Sequence, residues 1–243
     1  MGASMLVRVM SAEWLKLRRT MIPFLIVLGP LGVASLQAVN FGLRYDYLTK
    51  QYASDLWGGL IGNVAMLMVP TLFMGLAIIA SMTAGMEHQM NVWKQTLALP
   101  VSKTSVFAGK FLLASLLLLG SSVLLALLTL ALGVSLGFEL SGVPYGKLAA
   151  AIFYPYLAVM PFIALQVWLS VTMSNQAIPL TVGIAGTVFS MFAGSRFGDW
   201  MPYRWPYLQN AADEPLYSAA AGVMLGAAVF AAGLYEFVRK DVK

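Results

Sequence analysis

The stretch AGMEHQMNVWKQTLALPVSKTSVFAGK, residues 84–110, lies between two long apolar runs, yet it is neither apolar nor a short turn. At about 100° per residue, Met86, Met90, Trp93 and Leu97 fall on one helical face. Glu87, His88, Asn91, Lys94 and Gln95 spread over the remainder, and Pro100 then ends the helix or kinks it. A helix over 84–100 with this pattern can lie at a membrane surface with its polar side free for a soluble partner. It can also be an ordinary loop between spans, and the periodicity alone does not choose between the two.

The surrounding chain supplies the context. Of 243 residues, 60% are hydrophobic and only 10% charged, against about 25% charged in a soluble domain; the mean hydropathy is +0.80. The charge is missing in blocks, as in transmembrane spans. Six apolar runs have about the length that crosses a bilayer: Met21–Val39, Gly58–Thr83, Val106–Leu136, Leu148–Thr172, Ala177–Gly194 and Leu216–Val238. The third is long enough to tilt or to begin outside the hydrocarbon, and Lys110 in its first turns can snorkel to the surface. Prolines at 30, 70, 155, 161 and 179 kink such spans without cancelling them.

Basic residues set the orientation. With the N-terminus in the cytoplasm, the inner segments hold Arg8, Lys16, Arg18, Arg19, Lys94, Lys103, Lys110, Arg239, Lys240 and Lys243, ten of the 15. The outer loops hold Arg44, Lys50, Lys147, Arg196 and Arg204. The expectation is an all-α membrane protein forming a single domain over 1–243, with six spans and both termini inside. Residues 84–110 then face the cytoplasm. The outer loop from Ser195 to Pro215 carries Trp200, Tyr203, Trp205 and Tyr207, which read as an aromatic belt at the outer surface or as a lid. Gly133 with Gly137, and Gly222 with Gly226, have the spacing that lets helices approach closely.

Ahead of the first span, residues 5–20 read as an interfacial helix. Leu6, Met10, Trp14 and Leu17 form its apolar stripe, with Arg8, Ser11, Arg18 and Arg19 facing away. Its basic, amphipathic character, followed by many spans, favours retained structure over a signal peptide. Glu13 breaks the pattern by projecting from within the stripe. It snorkels or pairs with Lys16 or Arg18, or it meets the polar face of the 84–99 helix.

Little in the chain points to chemistry. There is no cysteine, which removes disulfides, thiol catalysis and cysteine-ligated metals. No Asp, Glu, Lys or Arg lies in the middle of a span, where ion-coupled carriers and intramembrane hydrolases place them. The amides and hydroxyls at depth, Gln37, Asn63, Ser121, Ser122 and Gln166, either bond between helices or line a substrate path. His88 has no neighbour at metal-ligand spacing. Residues 142–148, GVPYGKL, have three residues between the glycines where a phosphate loop needs four, and Leu148 where it needs Ser or Thr. Neither cofactor nor metal is expected in this chain.

The residues Ala12–Thr20, AEWLKLRRT, and Glu87–Lys110, EHQMNVWKQTLALPVSKTSVFAGK, resemble the membrane subunits of type-2 ABC exporters, in particular the lantibiotic-immunity and bacitracin-resistance permeases. The matching positions are Glu87, Trp93, Lys94, Leu99, Pro100, Val101, Ser102 and Lys110. The resemblance implies a pair of permeases, identical or related, assembled with two separate ABC ATPase subunits that hold the ATP and magnesium. It implies that the 84–100 helix is a coupling helix seated on the ATPase, and that the cargo is an amphipathic or antimicrobial peptide or a similar hydrophobic toxin. The other class that fits is a non-transporting scaffold or sensor subunit docking a cytoplasmic partner through the same helix.

Overall fold

In hydrocarbon a chain must satisfy its backbone hydrogen bonds internally, and long runs of Leu, Ala, Val and Gly do so as helices. The computed structural model describes residues 2–18, 20–89 and 102–239, those at 2–6, 86–89 and 194–195 in backbone alone. Its helices are α1 (Gly2–Leu17), α2 (Ile22–Leu43), α3 (Tyr45–Gln51), α4 (Leu56–Gln89), α5 (Lys103–Ser135), α6 (Tyr145–Ala158), α7 (Met160–Thr172), α8 (Ala177–Arg196) and α9 (Pro215–Arg239). Short 3-10 turns lie at Leu140–Gly142 and Pro202–Tyr207, and no strand occurs among the described residues. Among the described residues five segments are long and apolar enough to cross a membrane: α2, Leu56–Gly85 of α4, α5, α6 with α7, and α9. Ala177–Ala193 of α8 is a shorter apolar stretch.

Helix α4 is the centre of the bundle and packs against α2, α5, α7 and α8. It buries Leu60, Val64, Met68, Phe73, Ala77 and Ala80. The outward faces are apolar too: Leu28, Leu31 and Leu36 of α2, Leu127 of α5 and Met224 of α9 are exposed. A surface of this kind suits lipid rather than water. We call the end where α4 finishes and α5 begins the lower end. Helix α1 packs on α5 there, and Lys103 Nζ donates to the Val238 carbonyl at 3.2 Å, so the first helix and the end of α9 share that end.

Several boundaries differ from the sequence expectation. Helix α4 runs on through Ala84 to Gln89 without a break, so the first turns assigned to a separate 84–100 helix continue the second span. The fourth span is two helices parted at Val159. Pro161 has no N–H to give the Leu157 carbonyl, which explains the interruption. Helix α9 closes over that bend: a Cβ on Gly222 would lie 2.7 Å from the Leu157 oxygen, and one on Gly226 2.7 Å from Met160 Cβ.

Gly133 and Gly137 serve other purposes than a helix pair. A Cβ on Gly133 would overlap the Trp57 ring. Gly137, at φ +84°, caps α5, with Phe138 N–H donating to the Gly133 carbonyl and Gly137 N–H to that of Val134, both at 3.0 Å. Phe138 then packs edge-on against Trp57 and Phe41.

The 200–207 segment is not a surface belt. Tyr203 stacks on Phe73 at 5.3 Å and also meets Phe162 and Phe189. Phe73 lies about 25 Å along α4 from Leu56, at about 1.5 Å per residue. The segment therefore turns back into the bundle beyond α8. Asp199 and Arg204 organise it: Ala211 N–H donates to Asp199 Oδ2 at 2.7 Å, Arg204 pairs with Asp199 at 3.5 Å, and Trp205 Nε1 donates to the Asp199 carbonyl. Only Trp200, 73% exposed, behaves as a belt residue would.

Candidate functional site

At the lower end three elements meet around one carboxylate. Glu13 Oε1 accepts from Lys16 Nζ at 2.7 Å, and Glu13 Oε2 faces Lys110 Nζ at 3.4 Å. The Lys110 ammonium also reaches the Thr83 carbonyl of α4 at 3.5 Å. Glu13 is 7% exposed and Lys110 2%. The face of α1 turned to α5 carries Met10, Glu13 and Leu17, whereas Trp14, Leu15 and Arg18 are exposed. The expected stripe through Trp14 is therefore not the buried one, and the anomalous acid is the residue that points inward. The alternative pairing of Glu13 with Arg18 is not seen.

Lys110 is the larger departure, because it does not snorkel. Its helix places it on the side that faces α1 and the end of α4, and the carboxylate across the gap holds its charge inside. Gly109 makes that approach possible: a Cβ there would lie 2.7 Å from Val9 Cγ1 and 3.7 Å from Val9 Cβ. The pairing joins residues 97 apart in sequence, so periodicity could not place it. The available signal was two opposite charges, each on an apolar helix face.

Glu87 and His88 lie in the last turns of α4, their side chains not described. Met90, Asn91, Trp93, Lys94, Gln95, Leu97 and Pro100 lie outside the described residues, as does Arg19. The segment that holds most of these positions, 90–101, is flanked by α4, whose Thr83 carbonyl reaches Lys110, and by α5, which carries Lys110. Helix α5 then begins at a Ser102 cap, whose hydroxyl accepts from Ser105 N–H.

The amides named for a substrate path all hold hydrogen bonds inside the bundle, two of them between helices. Gln37 Nε2 donates to the Asn63 carbonyl at 3.0 Å, and Asn63 Nδ2 to the Gly59 carbonyl and to Tyr52. Gln166 Nε2 donates to the Pro179 carbonyl, fixing α7 to α8. Ser121 donates to the Ile26 carbonyl and Tyr156 to that of Ser115. A groove of about 430 Å³ opens between α2, α4 and α8, lined by Leu25, Leu28, Pro70, Met74, Thr187 and Met191. Thr187 turns its hydroxyl to the Gly183 carbonyl, leaving the groove wall apolar.

Apolar segments with lipid-facing surfaces, five of them long enough to span among the described residues, make this a multi-pass membrane protein. The sequence model of the ABC-2 family transporter proteins matches residues 9–191, from the second turn of α1 into α8. The chain belongs to that family, whose membrane subunits are transport components that work with ABC ATPase subunits. No curated protein matches the chain.

Proposed function

We propose that this chain is the permease subunit of an ATP-driven exporter, carrying amphipathic or antimicrobial peptides or similar hydrophobic toxins out of a bacterial cytoplasmic membrane. The observation that carries this reading is the family match, which takes in the second half of α1, segment 90–101 and most of α8. Two copies, or a copy and a related permease, face each other, and two ATPase subunits bind below, holding the ATP and magnesium.

Six spans fit this reading. Helix α8 has 20 residues, about 30 Å at 1.5 Å per residue, which approaches the hydrocarbon thickness. Its start lies near the lower end of α4, since a Cβ on Gly85 would meet Gln176 at 3.4 Å. The excess of Lys and Arg at the lower end favours that end as cytoplasmic, which agrees with Glu87, Trp93 and Lys94 serving as contacts for an ATPase. The open apolar groove suits apolar or amphipathic cargo, and its volume is in the range of ligand sites.

The test is co-purification with the ATPase subunits, then ATP turnover in nanodiscs with nisin, bacitracin or an amphipathic helical peptide added. Replacing Glu87 and Lys94 together with alanine is expected to remove peptide-stimulated turnover and export while leaving assembly intact. Normal export by that variant overturns the coupling assignment. A purified complex that binds the ATPase but exports nothing favours the scaffold class.

A further inference from the structure

We propose that the buried Glu13–Lys110 pair is a joint that makes the interfacial helix α1 move as one body with the two helices flanking segment 90–101. Glu13 and Lys110 thereby act as positioning residues for power transmission. The inference rests on the exporter reading above. Its ground is where the two charges sit. One carboxylate oxygen is spent on Lys16, in its own helix, and the other faces Lys110, at the start of α5. Lys110 in turn reaches the Thr83 carbonyl of α4, so a single ammonium bridges α1, α4 and α5.

Such a pair is a poor way to gain stability, because two charges taken out of water recover their hydration only when the geometry holds. An apolar side chain at each position would fill the same space. What the pair adds is a demand for one arrangement: if α1 shifts against α5, the buried carboxylate keeps only the lysine of its own helix and loses the contact that ties it to α5. Val9 rests on Gly109 with no room between, so the helices are already seated and the charges fix which turn meets which. A pull transmitted through 90–101 reaches α4 and α5 first, and this joint carries α1 along, so that the membrane-surface helix resists or follows the motion instead of sliding free.

The absence of cysteine permits a direct test. Val9 and Gly109 are disposed for a disulfide, since a Cβ on Gly109 would stand 3.7 Å from that of Val9, within the about 3.5–4.5 Å such a bond needs. In the permease–ATPase complex in nanodiscs, Glu13→Gln is expected to lower export of fluorescent nisin per ATP hydrolysed about tenfold, the size of a typical coupling term. ATP hydrolysis and co-purification should change less than twofold. Adding Val9→Cys with Gly109→Cys should restore export under oxidising conditions and lose it again on reduction. Spin labels at Ser11 and Thr104 should keep one distance between nucleotide-free and vanadate-trapped wild type, and separate into two in Glu13→Gln. Lys147→Ala, at the opposite end, should change nothing.

Normal coupling in Glu13→Gln, or no rescue by the disulfide, overturns the joint while leaving the exporter reading intact. A wild-type complex that exports no nisin and shows no nucleotide-dependent change overturns the exporter reading for this cargo, and this inference with it.

Discussion

At the lower end Glu13 and Lys110 stand 3.4 Å apart, both nearly sealed from solvent; at the upper end Asp55 and Lys147 approach to 2.8 Å with half of each side chain exposed. Distance alone would rank the upper pair as the stronger. Environment reverses the order, since water screens the exposed pair and leaves it worth little. The buried pair has surrendered its hydration and cannot lose a partner cheaply. The upper end relies on other means: the Tyr203 ring among Phe73, Phe162 and Phe189, and backbone hydrogen bonds gathered by Asp199. One end is specified by charge and the other by shape.

The hardest blow to this contrast comes from Lys110→Met. It should destabilise the folded protein by about 3–5 kcal/mol, because Glu13 is left buried with one partner fewer. The double replacement Glu13→Leu with Lys110→Met should cost less than the single one. Unfolding of the purified protein in mixed micelles, followed by helical circular dichroism, measures both. A double variant that is worse than Lys110→Met would mean that the pair is stabilising outright.

Next in size is the aromatic insertion. Tyr203→Ala should cost about 2–4 kcal/mol by emptying a site shared by three helices, whereas Tyr203→Phe keeps the ring and should cost under about 1 kcal/mol. Trp200→Ala, at an exposed position of the same segment, should stay within about 0.5 kcal/mol. Smaller again is Gly222→Ala, at about 1–3 kcal/mol, since the added methyl meets the Leu157 and Ala158 backbone, which cannot step aside. Gly62→Ala on α4 meets nothing within 4 Å and should be neutral or slightly stabilising, by up to about 1 kcal/mol.

Much of the fold was legible because a bilayer solvent leaves so few choices. The positions of α2, α4, α5 and α9 follow from apolar length alone, to within a few residues except where α4 runs on to Gln89. What could not be read is what side chains find at a distance. Snorkelling for Lys110 is the default for an ammonium near a helix end, and only the arrival of Glu13 from α1 cancels it. Residues 200–207, WMPYRWPY, have the composition of an interfacial belt, and nothing local says that Tyr203 turns inward. Gly133 and Gly137 have the right spacing for helix packing, but Trp57 and the αL cap claim them separately. The coupling positions from Met90 to Pro100 were legible as a pattern, with their placement outside the described residues.

The least effect, and the cleanest sign, belongs to Asp55. The Lys147 ammonium beside it, and then the Gly58 N–H that it caps at 2.7 Å, hold its carboxyl below the usual carboxylate range. A depressed carboxyl stabilises the fold above its unfolded value, near about 3.9, and that contribution is lost as pH falls through the folded value. Asp55→Asn keeps the helix cap, because asparagine caps as well as aspartate, and removes only the charge. The difference in unfolding free energy between wild type and Asp55→Asn should therefore be about 0.2–1 kcal/mol at pH 6, after allowance for solvent screening. It should fade towards zero as pH falls through the lowered folded value and shrink in high salt, where the Debye length falls to about 3 Å at 1 M. Lys147→Met should remove most of it at pH 6, since the lysine is the first cause of the shift. A difference that survives both acid and salt would make the upper pair behave like the lower one, and the contrast between the two ends would then rest on shape alone.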